Sequence, residues 1–181
     1  MWYTYRKKGV CAVKHLYLIG GTMGVGKTTV CQVLKQTLDK SVVLDGDWCW
    51  DMHPFVVNAE TKSMVMENIA FLLQQYLKCS VFEHVIFCWV MHEQSIIDDL
   101  LSRLDLSDCT VHSISLLCSP EILAKRLQKD IDLGYRKPDI LARSLSRLPL
   151  YEQLHTIRVN TDDLTPDEVA EKILCMIQQA K

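Results

Sequence analysis

A glycine-rich segment, GTMGVGKT at residues 21–28, has the residue types and spacing that point most directly to chemistry. It fits the pattern G-x-x-x-x-G-K-[ST], in which backbone amides and a helix N-terminus surround a phosphate chain. In this pattern Lys27 reaches the outer phosphates and takes part in catalysis, while the Thr28 hydroxyl is available to magnesium. The predicted nucleotide-binding residues are Gly21, Thr22, Met23, Gly24, Val25, Gly26, Lys27, Thr28 and Thr29.

Two carboxylates one residue apart, Asp45 and Asp47, follow the apolar residues 42–44. A right-handed crossover would bring the end of this second strand to the same sheet edge as the glycine-rich loop. Carboxylates beside a triphosphate repel it unless magnesium or a substrate hydroxyl lies between them. We therefore predict that Asp47 activates an acceptor hydroxyl, with Asp45 as magnesium support or the alternative base. The competing interpretation is that Asp47 only caps a short helix.

Aromatic and polar side chains surround the place where an acceptor would lie. Trp48, Trp50 and His53 either form an aromatic wall for a ring or sugar, or pack against a helix that starts near residue 60. His92 and Glu93 either contact the acceptor or magnesium, or form an exposed polar pair. The predicted acceptor side includes Asp45, Asp47, Trp48, Trp50 and His92.

Strands that alternate with helices must position these residues. Ser119-Pro120 and the capping box at 165–168 predict the starts of two of the helices. This alternation predicts an α/β fold in which helices cover both faces of a parallel sheet. The predicted strands are 16–20, 41–45, 83–91, 111–118 and 155–159.

The composition is typical of a single globular domain and does not favour a nucleic-acid-binding or membrane-spanning protein. The 181 residues suffice for one domain with a sizeable core, and the formal net charge of −2 lacks the basic excess of a nucleic-acid binder. No apolar run approaches the roughly 18 residues of a membrane span, and the eight scattered cysteines are expected to be reduced core thiols. We expect a cytoplasmic monomer or homodimer with no nucleic-acid or membrane partner. Residues 1–14 are expected to be an extension before a single domain at 15–181.

The order of strands, helices and motifs along the chain resembles that of the small P-loop kinases. This group includes gluconate kinase, shikimate kinase and chloramphenicol phosphotransferase, with nucleoside monophosphate kinases as broader relatives. The resemblance covers roughly residues 16–177, and the acidic motif of these families corresponds to Asp45-Gly46-Asp47. It implies a three-layer P-loop fold with a five-stranded parallel sheet in the order 2-3-1-4-5. It also implies an arginine-bearing lid after the fourth strand, at about 126–147.

Three arginines fall in the implied lid. Arg126 lies where such enzymes place a nucleotide-contacting arginine, Arg136 lies beside Gly134, and Arg143 follows on the next helix. The guanidinium group of arginine is permanently charged and can bind two oxygens of a transferring phosphoryl group at once. The alternative explanation is that these arginines lie on solvated helix faces. The resemblance implies catalytic roles for Arg126 and Arg136, an acceptor-side role for Arg143, and an adenine-bordering loop at 159–163.

The resemblance implies a kinase that uses ATP and Mg²⁺ to phosphorylate a small acceptor such as a nucleoside, a nucleotide, a sugar acid or another hydroxylated metabolite. The chain lacks the D-G-F-P-R-like pattern of adenylate kinases, and its third strand ends in WVMHEQ rather than in an immediate Walker B aspartate. The acceptor is therefore not identified. A nucleotide-binding switch or slow NTP hydrolase that acts through a protein contact is the alternative function.

Overall fold

The computed structural model describes residues 13–179, so that most of the expected N-terminal extension lies outside the described residues. Within this range, strands and helices alternate as predicted. Two 3₁₀ helices, Gly46–Trp50 and Leu148–Gln153, are also present in this range. The elements in chain order are β1 Lys14–Gly20, α1 Lys27–Thr37, β2 Ser41–Asp45, α2 Ala59–Lys78, β3 His84–Cys88, α3 Gln94–Ser102, β4 Cys109–Leu117, α4 Pro120–Asp132, α5 Asp139–Arg147, β5 Ile157–Asn160 and α6 Pro166–Gln179.

The strands form one parallel sheet in the order β2-β3-β1-β4-β5. This confirms the strand order that the resemblance implied. The register pairs both Ile19 of β1 and Asp45 of β2 with Cys88 of β3. The carboxyl ends of these three strands therefore lie at one edge, where the glycine-rich loop and the two aspartates follow.

The third strand is shorter than predicted, because it ends at Cys88 rather than at residue 91. Both of its neighbours stop at this level: β2 ends at Asp45 and β1 ends at Gly20. Beyond Trp89, further residues of β3 would have no strand partner, and the chain leaves the sheet after the Trp89 N–H donates to the Ile19 carbonyl at 3.2 Å. At the other side of the sheet β5 covers 157–160, shifted from the predicted 155–159.

Helices cover both faces of the sheet, as predicted. Successive side chains of β1 point to opposite faces of the sheet. Tyr17 and Ile19 pack in the core formed with α1, α4 and α6. Leu16 and Leu18 pack in the core formed with α2 and α3. Each fully buried leucine or isoleucine contributes about 1.5–3 kcal/mol of hydrophobic free energy. Two apolar layers thus hold the central strand in place and fix the position of the loop that follows it.

Side-chain caps fix three helix starts. Ser119 Oγ accepts from the N–H of Ile122, and Thr165 and Glu168 form the predicted capping box. The helix expected near residue 60 starts at Ala59, because Asn58 and Thr61 exchange hydrogen bonds in a capping box of their own. None of the helices described between residues 13 and 179 has the length and apolar character needed to cross a membrane.

The cysteines of residues 13–179 are free thiols, but they are not all in the core. Cys31, Cys88 and Cys118 are buried, whereas Cys175 is exposed and others are half-buried. The expectation of core thiols therefore holds for only part of the set.

Candidate active site

The glycine-rich loop lies between β1 and α1, and its shape requires glycine. Gly24 has a φ of +85°, and a Cβ on this residue would lie 2.7 Å from the side chain of Leu127. On the other side of the loop, the buried Thr22 hydroxyl donates to the Ser144 carbonyl at 3.0 Å. Helices α4 and α5 therefore support the loop, whose amides and helix start can surround an anion.

Lys27 is the first residue of α1 and lies close to both aspartates. Its Nζ donates to the Thr22 carbonyl at 3.0 Å. Burial lowers the pKa of the Lys27 ammonium, while the carboxylates of Asp47 and Asp45 act in the opposite direction. The structure thus brings together the lysine and the acidic pair that the sequence placed at one sheet edge.

Asp45 is connected to both sides of the site. Its Oδ2 accepts from the Thr28 hydroxyl at 2.8 Å, and its Oδ1 accepts from the backbone N–H of Asp47 at 3.0 Å. The second contact caps the 3₁₀ helix Gly46–Trp50. It is therefore Asp45, not Asp47, that caps the short helix, and the capping interpretation of Asp47 is wrong.

Asp47 lies on the solvent side of this pair. Partial burial and the charge of Asp45 raise the pKa of the Asp47 carboxyl, whereas Lys27, a hydrogen bond from Trp89 and the charge of Arg136 lower it. Gly46 makes the Trp89 contact possible, because a Cβ on Gly46 would lie 2.6 Å from the indole ring. The sequence does not single out Trp89, because the apolar run 83–91 predicts that this residue lies in the interior of the third strand.

The lid arginines have different environments. Arg136 donates from Nε to Asp130 at 3.1 Å, and its charge also reaches Asp47. Arg143 instead forms an exposed ion pair with Asp139 at 3.6 Å. The structure therefore brings Arg136 toward the acidic pair, but it does not bring Arg143 there.

Arg126 lies on α4 and closes one side of a cavity behind the loop. Its guanidinium donates to the Thr161 hydroxyl at 3.1 Å, to the Thr161 carbonyl at 2.9 Å and to the Val25 carbonyl at 3.3 Å. The cavity has a volume of about 250 Å³ and includes Gly26, Thr29 and Pro166 in its lining. The predicted adenine-bordering segment 159–163 and the predicted arginine thus meet beside the start of α1.

Arg147 is a site residue that the sequence analysis missed. It ends α5 and is half-buried near His92 and Tyr151. Burial, followed by the charge of Arg147, lowers the pKa of His92, so this imidazole is neutral at pH 7. Burial raises the pKa of the Tyr151 hydroxyl, and the charge of Arg147 acts in the opposite direction. The helical spacing of Ser144 and Arg147 on the loop-facing side of α5 was the available signal.

The predicted aromatic wall is divided between two environments. Trp48 is 59% exposed, whereas Trp50 is half-buried against the core that includes α2. The rings of Trp50 and Phe55 have centroids 6.0 Å apart. His53 is exposed, and His92 Nε2 lies 3.5 Å from the exposed Glu93. Trp48 is therefore free to contact a ligand, while Trp50 has a mainly structural environment.

The oxygen atoms of Thr28 and Asp45 suit Mg²⁺, which prefers hard oxygen ligands and keeps several waters. Residues 13–179 contain no group of three or more histidine, cysteine, aspartate or glutamate side chains arranged to hold a metal ion. Mg²⁺ does not need such a group, because one or two protein ligands and substrate phosphates complete its coordination.

A larger cleft of about 600 Å³ lies elsewhere, between β4 and the segment leading into β5. Its lining includes His112, His155 and Thr156, and it contains no residue of the glycine-rich loop. The loop, the acidic pair and the lid arginines therefore define the candidate active site, although the cavity beside them is smaller.

Comparison with solved structures shows the same fold in several proteins. The chain is similar to a gluconokinase from Sinorhizobium meliloti 1021, with a TM-score of 0.68, 16% identity and coverage of 93% of this chain and 94% of that chain. It is also similar to the tunicamycin resistance protein of Deinococcus radiodurans, with a TM-score of 0.64, 18% identity and coverage of 91% and 95%. A third similar structure is a shikimate kinase from Acinetobacter baumannii in complex with shikimate. Its TM-score is 0.64 at 21% identity, and the match covers 94% of this chain and 96% of that chain.

These likenesses confirm that the chain has the fold of the small P-loop kinases that its motifs resemble. A comparison by sequence with curated proteins gives no significant match. The AAA domain family, by contrast, matches residues 18–144, which include the glycine-rich loop, the acidic pair, Arg126 and Arg136. Since this match extends over well more than half of the sequence, the chain belongs to the AAA domain family.

Proposed function

We propose that this protein is a magnesium-dependent kinase that transfers the γ-phosphoryl group of ATP to a hydroxyl group of a small molecule. The observation that carries this proposal is the position of Asp47. Its carboxylate is within the electrostatic reach of Lys27 and Arg136, and its neighbour Asp45 accepts from Thr28. A base candidate therefore lies between the residues suited to hold the phosphates and the exposed side from which an acceptor would approach.

The phosphate side of the proposed reaction depends on positioning. Lys27 and the loop amides bind the phosphate oxygens, and the Thr28 hydroxyl and Asp45 carboxylate hold Mg²⁺, directly or through water. When bound, Mg²⁺ neutralises charge on the β- and γ-phosphates. Arg126 and Thr161 orient the nucleotide at the cavity beside α1, and Arg136 stabilises the charge of the transferring group.

The acceptor side depends on Asp47. The acceptor oxygen forms a bond to the γ-phosphorus while the bond from that phosphorus to the ADP oxygen breaks. The acceptor proton passes to the Asp47 carboxylate, which must be ionised to receive it. Its raised pKa makes Asp47 a stronger base than an ordinary aspartate, while Trp89 and Lys27 keep the ionised form accessible.

The names of the similar structures support a small-molecule acceptor. One is a gluconokinase, another is a shikimate kinase bound to shikimate, and a third is a tunicamycin resistance protein. At 16–21% identity these names do not identify the acceptor of this chain. They support the choice of hydroxylated small molecules as the compounds to test.

ADP formation measured with and without candidate acceptors tests the proposal. We expect weak ADP formation with Mg-ATP alone and a clear increase with one class of hydroxylated compound, together with a phosphorylated product detected by mass spectrometry. Phosphate release that no acceptor changes, with no phosphorylated product, would instead support a nucleotide switch or slow hydrolase.

A further inference from the structure

The end of helix α4 and the first residues of the lid loop form a closed turn. The N–H of Tyr135 donates to the Asp130 carbonyl at 2.9 Å, and the N–H of Gly134 donates to the Ile131 carbonyl at 2.9 Å. Gly134 has a φ of +74°, the left-handed conformation that completes this type of helix end. The turn therefore brings the next residue, Arg136, back beside the last turn of α4.

Arg136 is also bonded to this turn through its side chain. Its Nε donates to Oδ2 of Asp130 at 3.1 Å. Within residues 13–179, neither Nη group of Arg136 donates a hydrogen bond. The contact with Asp130 thus uses the edge of the guanidinium group and leaves its forked end available.

Two other arginines use their guanidinium groups differently. Arg103 donates to Asp99 from both Nε and Nη2, at 2.9 and 3.2 Å. Arg126 donates from both of its Nη groups. Arg136, by contrast, is held with its forked end free, and its charge reaches Asp47. A forked end of this kind can bind two phosphoryl oxygens at once.

Asp130 does not lie where helix stability would favour a carboxylate. It is in the last turn of α4, and the partial negative charge of a helix C-terminus disfavours an acidic side chain. The Arg136 side chain is 38% exposed and that of Asp130 is 37% exposed, and an ion pair in contact with water contributes little to folding. The contact is therefore better explained by its effect on Arg136 than by a contribution to stability.

We propose that Asp130 is a positioning residue for the proposed phosphoryl transfer, because it holds Nε of Arg136 and leaves both Nη groups free to bind the transferring phosphoryl group. This inference rests on the proposed kinase function and adds a residue that does not itself touch the substrate. An arginine side chain has many rotamers, and an anchored one loses less conformational freedom when it binds. Asp130 thus affects turnover only through Arg136.

Asp130→Ala removes the anchor and keeps the backbone carbonyl that closes the turn. With a saturating acceptor we expect kcat to fall about 10-fold and KM for Mg-ATP to change little, because the charge of the transferring group develops in the transition state. The urea midpoint of unfolding should not fall, since alanine has the higher helix propensity and removes a negative charge from the helix end. An ion pair with only a structural role would give the reverse result, an unchanged kcat and a lower midpoint.

Two further variants separate the anchor from the charge of the helix end. Asp130→Asn keeps an oxygen that can accept from Nε, so it should recover part of the lost kcat. Asp132→Ala is the matched control, because it removes a carboxylate from the same turn of α4. The Asp132 carboxylate accepts from Gln128 at 2.8 Å and contacts no arginine within residues 13–179, so this variant should leave kcat unchanged.

A double-mutant cycle tests whether Asp130 acts through Arg136. In the Arg136→Ala background, Asp130→Ala should lower kcat no further. Additive losses would overturn the inference, and so would a wild-type kcat in Asp130→Ala. If Arg136→Ala itself leaves kcat unchanged, the inference falls with the lid assignment, whereas the kinase proposal stands.

Binding of a transition-state analogue tests the inference before an acceptor is identified. Aluminium fluoride with Mg-ADP takes the place of the transferring phosphoryl group, so calorimetry should show tighter Mg-ADP binding to the wild type when it is present. We expect Asp130→Ala to bind Mg-ADP about 10-fold more weakly than the wild type with aluminium fluoride, and equally without it. Equal affinities under both conditions would overturn the inference. The kinase proposal fails separately if calorimetry detects no Mg-ATP binding.

Discussion

The Thr28 hydroxyl donates a hydrogen bond to Oδ2 of Asp45 at 2.8 Å, and this contact connects the first turn of α1 with the end of β2. The hydroxyl follows the lysine of the glycine-rich loop, while the carboxylate comes from a separate strand. Their contact places two hard oxygen atoms beside the glycine-rich loop, where the proposed Mg²⁺ would bind them directly or through water. The proposed magnesium site is thus formed by side chains that already touch.

Asp45→Asn tests this assignment. The amide keeps the shape of the side chain but loses the negative charge, so the Mg²⁺ concentration for half-maximal activity should rise about 10-fold or more. Added Mg²⁺ should restore part of the lost turnover. ADP formation across a magnesium series measures both effects. Asp51→Asn is the control, because Asp51 is exposed after the 3₁₀ helix, and an equal effect there would remove the metal role of Asp45.

Lys27→Met tests the phosphate-binding role of the loop. Methionine retains the apolar stem but lacks the ammonium group, so the variant should fold while losing most of its Mg-ATP affinity and turnover. Calorimetric titration with Mg-ATP measures the affinity, and circular dichroism checks the fold. Lys35→Met, near the end of the same helix, is the matched control. Wild-type binding in Lys27→Met would contradict the whole assignment of the site.

Arg136→Ala and Arg143→Ala separate the two lid arginines. The charge of Arg136 reaches Asp47, whereas Arg143 pairs with Asp139 on an exposed helix face. With a saturating acceptor, Arg136→Ala should lower kcat by at least about 10²-fold and change Mg-ATP affinity less, because the charge of the transferring group develops in the transition state. Arg143→Ala should leave kcat within about twofold. A reversed order would show that Arg143 moves into the site.

The fold could be predicted from the sequence because its signals are local. Strand and helix periodicity, the loop motif and two of the helix caps each depend on a few neighbouring residues. The end of β3 could not be predicted in this way, since it depends on where β1 and β2 stop. The continuous apolar run at 83–91 therefore predicts a longer strand, whereas Trp89 lies outside the sheet.

The candidate site also contains parts that local motifs predict and parts that depend on tertiary contacts. The loop and the acidic pair were identified because short motifs place them at the carboxyl ends of adjacent strands. The sequence predicts that Arg143 lies on the helix after the lid, but which face of that helix packs on the loop depends on tertiary contacts such as that of Thr22 with Ser144. Likewise, sequence alone left open whether Trp48 or Trp50 is packed into the core.

Gly46→Ala tests the close approach between the acidic motif and Trp89. A Cβ at this position would lie 2.6 Å from the indole ring, so Trp89 or the 3₁₀ helix must shift. We expect a loss of about 1–3 kcal/mol in the free energy of unfolding, measured by urea denaturation. Gly20→Ala is the control, because a Cβ there meets its nearest atom at 3.5 Å, and it should cost less. Equal stability of the two variants would contradict the tight contact.

The last prediction concerns the pH dependence of the proposed base. Burial and Asp45 raise the pKa of Asp47, and the hydrogen bond from Trp89 is one of the contacts that lower it. A general base acts in its ionised form, so kcat/KM should fall as the pH decreases through this pKa. Trp89→Phe removes the indole N–H, so the acidic limb of the profile should move to higher pH. Trp50→Phe, which changes a tryptophan without this hydrogen bond, should leave the limb in place.

Asp47→Asn completes this test, because it removes the base without changing the size of the side chain. We expect kcat to fall by about 10²-fold or more, and the acidic limb due to Asp47 to disappear, while Mg-ATP affinity changes little. Phosphoryl transfer depends strongly on positioning, so a small loss of kcat would show that Asp47 orients the acceptor rather than accepting its proton. Retention of the acidic limb in Asp47→Asn would assign that limb to another group, and Asp45→Asn measured over the same pH range would then show whether Asp45 is the base.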